Sequence, residues 1–347
     1  MALKIVKDKI VGTIDNIQEK LNGELPTNRL ELIYLVNSWG RYYSYSTNIN
    51  NEGILINKTE DFISLKHYDL SKLDVSEIID MEDVFKNSMF NGDISNWDVS
   101  NVTDMKSMFY HANDFNSDIS NWDISKVTSL EELFFMNKKF NQPIGNWDTS
   151  NVTNMVGVFC DTQSFNQPLN WNTSKVTSME AMFFSTYKFN QPLNFDTTNL
   201  KNTLDMFYLA KEFNSELNFS DTSKLIKISF MFGETQKFNQ PLNFNNTSNL
   251  IHMDNVFYGA KAFNQLFDLK IPENASIQNL FYKAEAFKNK FNNGEEITRY
   301  NIALKKWLIE NRDRMINIDF KLKYGEEIDD FFKKFNFSNK NELKEIN

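Results

Sequence analysis

The sequence predicts an α/β repeat solenoid, with one short strand and one short helix in each unit of 24 or 25 residues. Three columns of residues carry that expectation. Phenylalanine recurs at Phe90, Phe115, Phe140, Phe165, Phe189, Phe213, Phe238, Phe263 and Phe287, and asparagine follows every one but the last. A second column, Phe109, Phe134, Phe159, Phe183, Phe207, Phe232, Phe257 and Phe281, has no exceptions. A third, always large and apolar, runs Trp97, Trp122, Trp147, Trp171, Phe195, Phe219, Phe244 and Leu269. One such unit cannot bury its own rings, so the units must stack and cover one another.

Taken in chain order, residues 1–61 read as an N-terminal cap. The apolar series Leu3, Val6, Ile10, Ile14, Ile17 and Leu21 has helical spacing and predicts a helix. The chain continues through Leu30–Val36 into a Tyr-rich and Asn-rich loop at 42–51. Residues 62–287 form the repeat domain, with 62–89 as a degenerate first repeat followed by eight repeats. Within one repeat, Met105, Met108, Phe109, Ala112 and Phe115 fall at i, i+3, i+4, i+7 and i+10, one face of a short helix that Thr103 or Asn101 is placed to cap. Ile94 and Trp97 stand in a segment too short for a second helix, which predicts a brief strand. The repeats differ in length by single residues before or after the aromatic column, where turns are expected. The ladder Asn91, Asn116, Asn141, Asn166, Asn190, Asn214, Asn239 and Asn264 is expected to satisfy backbone groups left free in those turns. Residues 288–347 read as a helical C-terminal cap and tail, with helices over 295–316 and 325–335.

Charge narrows the class of partner. The formal net charge is −9, and residues 61–287 hold 17 basic against 28 acidic groups. A negative middle segment repels phosphate backbones, which argues against nucleic acid. No run of apolar residues is long enough to span a membrane, and the first 21 residues place lysines, Asp15 and Glu19 among their apolar positions, so no secretory signal is expected and the chain as written reads as cytoplasmic.

The residues that carry chemistry are dispersed. Cys160 is the one cysteine, and it takes a position that is aromatic in most repeats, which makes it a packing substitute. His67, His111 and His252 lie in different units, without a second ligand at metal spacing. Asp98, Asp123, Asp148 and Asp196, with Asn172 and Asn245, form a ladder behind the aromatic column. Stacked carboxylates could attract a cation such as calcium, or each could cap its own turn. The pair Glu131 and Glu132 and the cluster Glu326, Glu327, Asp329 and Asp330 sit on polar faces where carboxylates are commonly solvated. A basic group around Tyr300 and Trp307 reads as a solvated helix face. No nucleotide-binding or metalloprotease motif occurs, so neither an enzyme nor a cofactor is expected. A partner would meet the column after the second phenylalanine: Tyr110, Phe135, Phe184, Tyr208, Tyr258 and Tyr282. Tyrosine and phenylalanine offer large contact area at small entropic cost. The alternative is that these rings line half-buried space.

The pattern F-N-Q-P-L-N-W-x-T-S-x-V-T-x-M-x-x-M-F, nearly whole at 140–159 and 165–183, closely resembles the repeats of BspA-like leucine-rich-repeat surface proteins, including those of mycoplasma lipoproteins. The resemblance covers about residues 62–287. It implies a curved leucine-rich-repeat-like solenoid and, for members on cell surfaces, adhesion or binding to a host protein. The expected function is therefore a non-enzymatic interaction or adhesion module for a protein or glycan, located at a cell surface or virion by resemblance. The alternative is a structural component of a cell-surface layer or a phage or virus particle.

Overall fold

The computed structural model describes residues 4–6, 9–11, 29, 32–33, 36, 70–265, 272 and 274–287. The chain divides into two compact units, Met1–Val176 and Thr177–Asn347, the N-terminal and C-terminal units below. The expected C-terminal cap at 288–347, most of the N-terminal cap, His67 and Leu269 lie outside the described residues.

Two identical Lys-Ile-Val tripeptides form strands β1 (Lys4–Val6) and β2 (Lys9–Val11), paired antiparallel with Lys4 opposite Val11. This corrects the helix expected there. Ile and Val lose side-chain freedom in a helix and pack well on a pleated pair, so β-branching outweighs the apolar period. Further on, Arg29, Leu32, Ile33 and Val36 are helical, with Leu32 and Val36 fully buried. Arg29 Nη1 reaches the carboxylates of Asp80 at 3.0 Å and Glu82 at 2.6 Å, which ties this segment to the first repeat.

Successive repeats stack in register. Single parallel bridges link Asp80, Asp104, Ser129 and Asn154 in the N-terminal unit, and Ser178, Asn202, Lys227, His252 and Ser276 in the C-terminal unit. The segment expected to be helical is instead a ribbon of overlapping turns. Met108 N–H donates to Met105 O, Tyr110 N–H to Ser107 O and Ala112 N–H to Phe109 O, each three residues back. The N–H groups between them leave the repeat: Ser107 donates to Glu131 O, Phe109 to Leu133 O and His111 to Phe135 O. A helix would keep every N–H within its own segment, so this alternation excludes one. The ribbon nevertheless turns Met105, Met108, Phe109 and Ala112 inward to full burial, the positions a helix face would bury. That shared period is why the spacing predicted a helix.

The alternation sets the backbone. The third residue of the first and last turn takes positive φ, as in a type II turn. In this repeat these are Ser107 at 51° and His111 at 54°. The same pair recurs four residues apart in the repeats of both units, Asp83 and Asn87 being the first and Asn279 and Lys283 the last among the described residues. Only Gly157 and Gly259 are glycines among these positions, so residues as unsuited as Leu209 and Phe230 are held in the left-handed region by the stack.

Inside, the two phenylalanine columns form parallel ladders. Phe109 and Phe134 stack at 5.6 Å, Phe115 and Phe140 at 6.0 Å, and within one repeat Phe109 meets Phe115 at 3.9 Å. Trp97 and Trp122 stack at 6.5 Å, and each indole N–H donates to a carbonyl of the preceding repeat, Leu70 O and Ile94 O. The expected strand at the aromatic column occurs only twice among the described repeats, as the parallel pair β3 (Leu193–Phe195) and β4 (Leu217–Phe219). In the earlier repeats that carry an extra residue before Trp, the segment closes as a turn, Trp97 N–H donating to Ile94 O. Length variation is therefore taken up by a turn, while the buried columns stay in phase.

The asparagine ladder works as expected. Asn91 Oδ1 accepts the backbone N–H of Asn116 at 2.8 Å, and Asn116 Oδ1 accepts that of Asn141 at 2.8 Å. In the C-terminal unit Asn190, Asn214 and Asn239 do the same for the next repeat. Replacing Asn116 by Ala is expected to cost about 1–2 kcal/mol in urea unfolding, because Asn141 N–H loses its acceptor, whereas Asn116→Asp keeps an acceptor and should cost less. Equal losses for the two variants would refute the ladder. A Cβ built on Gly157 meets nothing closer than 3.5 Å, so Gly157→Ala tests φ alone. It should destabilise by about 1 kcal/mol, and an unchanged midpoint would contradict the left-handed assignment.

Candidate binding surface

Most of the polar groups singled out in the sequence are engaged by the fold. Asp98, Asp123 and Asp148 each accept the N–H of the serine two residues on, at 3.0 Å, and Asp196 does the same for Thr198. Hydroxyl and backbone donors on those residues hold the carboxyls of Asp98, Asp148 and Asp196 below their ordinary value. The ladder is thus built of Asx turns. Where the repeat carries an extra residue after the aromatic column the role moves by one, so Asp221 and Asn246 cap their turns while Asn245 accepts the N–H of Thr222. Glu131 pairs with Lys106 at 2.8 Å and accepts Asn154 Nδ2 at 2.7 Å, and Glu132 accepts Ser107 Oγ at 3.0 Å. Cys160 is buried. His111 Nδ1 lies 3.1 Å from Asn87 Oδ1, and His252 is an exposed bridge residue. Among the described residues no group of three or more His, Cys, Asp or Glu is placed to hold a metal ion.

The aromatic column behaves differently. The inner phenylalanines are fully buried, but Tyr110, Phe135, Phe184, Tyr208, Tyr258 and Tyr282 are all half-buried. In the N-terminal unit Tyr110 stacks on Phe135 at 4.8 Å and 1°, and the Lys86 ammonium stands 5.1 Å from the Tyr110 ring centre. In the C-terminal unit Phe184 stacks on Tyr208 at 5.3 Å, and Tyr258 on Tyr282 at 5.3 Å. The ribbon explains the placement: the residue after the inward phenylalanine points to the other side.

Between Tyr208 and Tyr258 the column holds Gly233, which leaves a gap in the aromatic pattern of the sequence. The structure fills it with Phe230, from three residues earlier in the same ribbon. Its ring meets Tyr208 edge-on at 5.7 Å and 79°, and lies 6.3 Å from Tyr258 at 59°. A Cβ on Gly233 would stand 2.6 Å from the Tyr208 ring, so the glycine makes the room that the displaced ring arrangement needs. The signal was present in the sequence: a glycine in an aromatic column, paired with an aromatic at a position that is Asp205 or Asn255 in the adjoining repeats.

Carboxylates border this strip. Asp205 is half-buried in the ribbon turn before Tyr208, and its carboxyl is pushed up to about 6 by burial and then by the negative charge of Glu180. Burial and the charge of Glu234 raise the Tyr208 hydroxyl as well. Since the folded value of Asp205 lies above its ordinary 3.8, the folded chain holds this proton more tightly than the unfolded chain. Stability is fully present below about pH 4 and is lost as pH rises through about 6. Asp205→Asn, which also suits a left-handed backbone, is expected to raise Tm at about pH 7.5 and to leave it nearly unchanged at about pH 4. A Tm gain of equal size at both pH values would show that Asp205 ionisation is not the cause.

Neither a curated protein nor a solved structure matches the chain. A family model described as Mycoplasma protein of unknown function, DUF285, matches residues 55–147, 118–218 and 193–294 in three overlapping passages. Those passages take in the stacked repeats and more than half of the sequence, and the chain is therefore a member of the DUF285 family of repeat proteins.

Proposed function

We propose that this chain is a non-enzymatic interaction module of the BspA-like leucine-rich-repeat type, a solenoid whose aromatic strip receives a protein or glycan partner, as an adhesion protein would. One observation carries the proposal. The strip stays half-exposed, and where Gly233 interrupts it Phe230 supplies a ring from another position. Packing of the buried columns does not call for that replacement, because Phe232 and Phe238 already fill the core of the same repeat. Half-exposed rigid rings give large contact area at little entropic cost, the property of residues that dominate interfaces.

The chemistry beside the strip favours binding over catalysis. The Asp98, Asp148 and Asp196 carboxylates serve their own turns and are spread along the ladder, while catalysis needs polar groups that converge on a reacting atom. The acidic balance of residues 61–287 disfavours nucleic acid as the partner.

The test is an array of extracellular proteins and glycans probed with the full chain and with Tyr208→Ser/Tyr258→Ser. Losing two central anchors should weaken retained interactions by about tenfold or more, while the melting transition stays cooperative. An array pattern unchanged in the variant, or no retained component for the parent chain, would overturn the proposal.

A further inference from the structure

The strip in the C-terminal unit also indicates what kind of partner it takes. We propose that Tyr208, Phe230 and Tyr258 receive lysine or arginine side chains of an extended cationic segment, with Glu180, Asp205 and Glu234 answering their charge; this rests on the strip being a docking surface. Three observations carry it.

The first is that the chain already places ammonium groups over rings of these columns. Lys283 Nζ stands 5.5 Å from the ring centres of both Tyr258 and Tyr282 and 3.4 Å from Tyr258 Oη. In the N-terminal unit Lys86 stands over Tyr110, and in the C-terminal unit Lys211 stands 4.8 Å from the centre of Tyr187, a ring outside the column. A cation over an aromatic face is held by the ring quadrupole, more strongly as water is excluded. Among the described residues Tyr208 and Phe230 have no ammonium over their rings, although the charges of Glu234 and Asp205 act on Tyr208.

The second is the way Glu234 is kept beside the strip. A Cβ on Gly259 would stand 2.7 Å from the carboxyl carbon and from Oε1 of Glu234. Every other repeat has a side chain at this ribbon position, from His111 to Lys283, so the glycine leaves a notch that this carboxylate occupies. Its charge acts on Tyr208 and on Lys283 alike, which places it within electrostatic reach of both parts of the strip.

The third is spacing. Tyr208 and Phe230 are 5.7 Å apart and Phe230 and Tyr258 6.3 Å apart, ring centre to ring centre. In an extended chain, side chains on one face recur every two residues, about 6.6 Å, and slightly less when the strand twists. A segment with a basic residue at every second position therefore keeps step with successive rings to within about 1 Å. A block of adjacent lysines does not, because half of them face away.

The experiment measures binding to the full chain of an alternating Lys-Ser peptide, a block peptide of the same composition, an alternating Glu-Ser peptide and a neutral chito-oligosaccharide. Phe230→Asn removes a ring while installing the residue that Asn255 and Asn279 place at the same left-handed position, so the fold is not threatened. Glu234→Gln removes a charge without changing shape. The expected result is that the alternating lysine peptide binds best and that each variant weakens it by about fivefold or more. Equal affinity for the block peptide, or binding indifferent to Phe230→Asn, would overturn the inference and leave only attraction to an acidic chain. Binding of the oligosaccharide alone, lost in Phe230→Asn, would overturn the cationic partner and keep the docking surface. If no probe depends on the rings, the cationic partner fails; whether the docking surface fails with it is decided by the array.

Discussion

The alternation of backbone hydrogen bonds in the turn ribbon is the constraint on which the rest of the structure depends. Every second N–H between Met105 and Ala112 closes a turn within its repeat, and the ones between are given to the next repeat. A buried N–H left without an acceptor costs about 1–3 kcal/mol, whereas a non-glycine residue forced to positive φ costs about 1–2 kcal/mol. The balance favours pairing the backbone and accepting the strain, and so Ser107, Glu132, Asp205 and Phe230 all adopt a conformation their side chains do not prefer. Stability therefore comes from the stack. A single repeat would carry the strain with none of its outward hydrogen bonds made.

Stacking in register also explains why identical residues recur in columns. Once the backbone of one repeat sits over the next, a ring meets a ring at 5–6 Å and an asparagine meets an asparagine, and each pair satisfies the same geometry. Departures from a column are answered close by. Gly233 is matched by Phe230 in its own repeat, and Gly259 by Glu234 in the repeat before it. These are the places where the repeat stops being uniform, and they fall together along one strip.

The fold also sorts its carboxylates. Those on the Asx turns receive two donors each and are held in their charged form, which makes them parts of the scaffold. Asp205 is placed oppositely, desolvated and near Glu180, so that its charge is carried at a cost. A structure tolerates such a cost more readily where an incoming cation can offset it, and this links the electrostatics of the ribbon to the proposed use of the strip.

Much of this was readable without coordinates. Period, buried columns, the asparagine ladder and the position of the aromatic column follow from the sequence alone, because burial in a stack repeats the same demand at the same position in every unit; how far the aromatic column is exposed does not. The secondary structure was not readable. A helix and a ribbon of overlapping turns bury the same i, i+3, i+4 positions, and the residues at positive φ, with glycine at Gly157 and Gly259 alone, do not announce their conformation. The apolar series at the start likewise suited a helix until β1 and β2 paired. Tertiary structure decided where each N–H finds its acceptor, and with that the placement of Phe230 and Glu234 beside Tyr208 and Tyr258. Those neighbours come from different repeats and different ribbon positions, and only the stack brings them together.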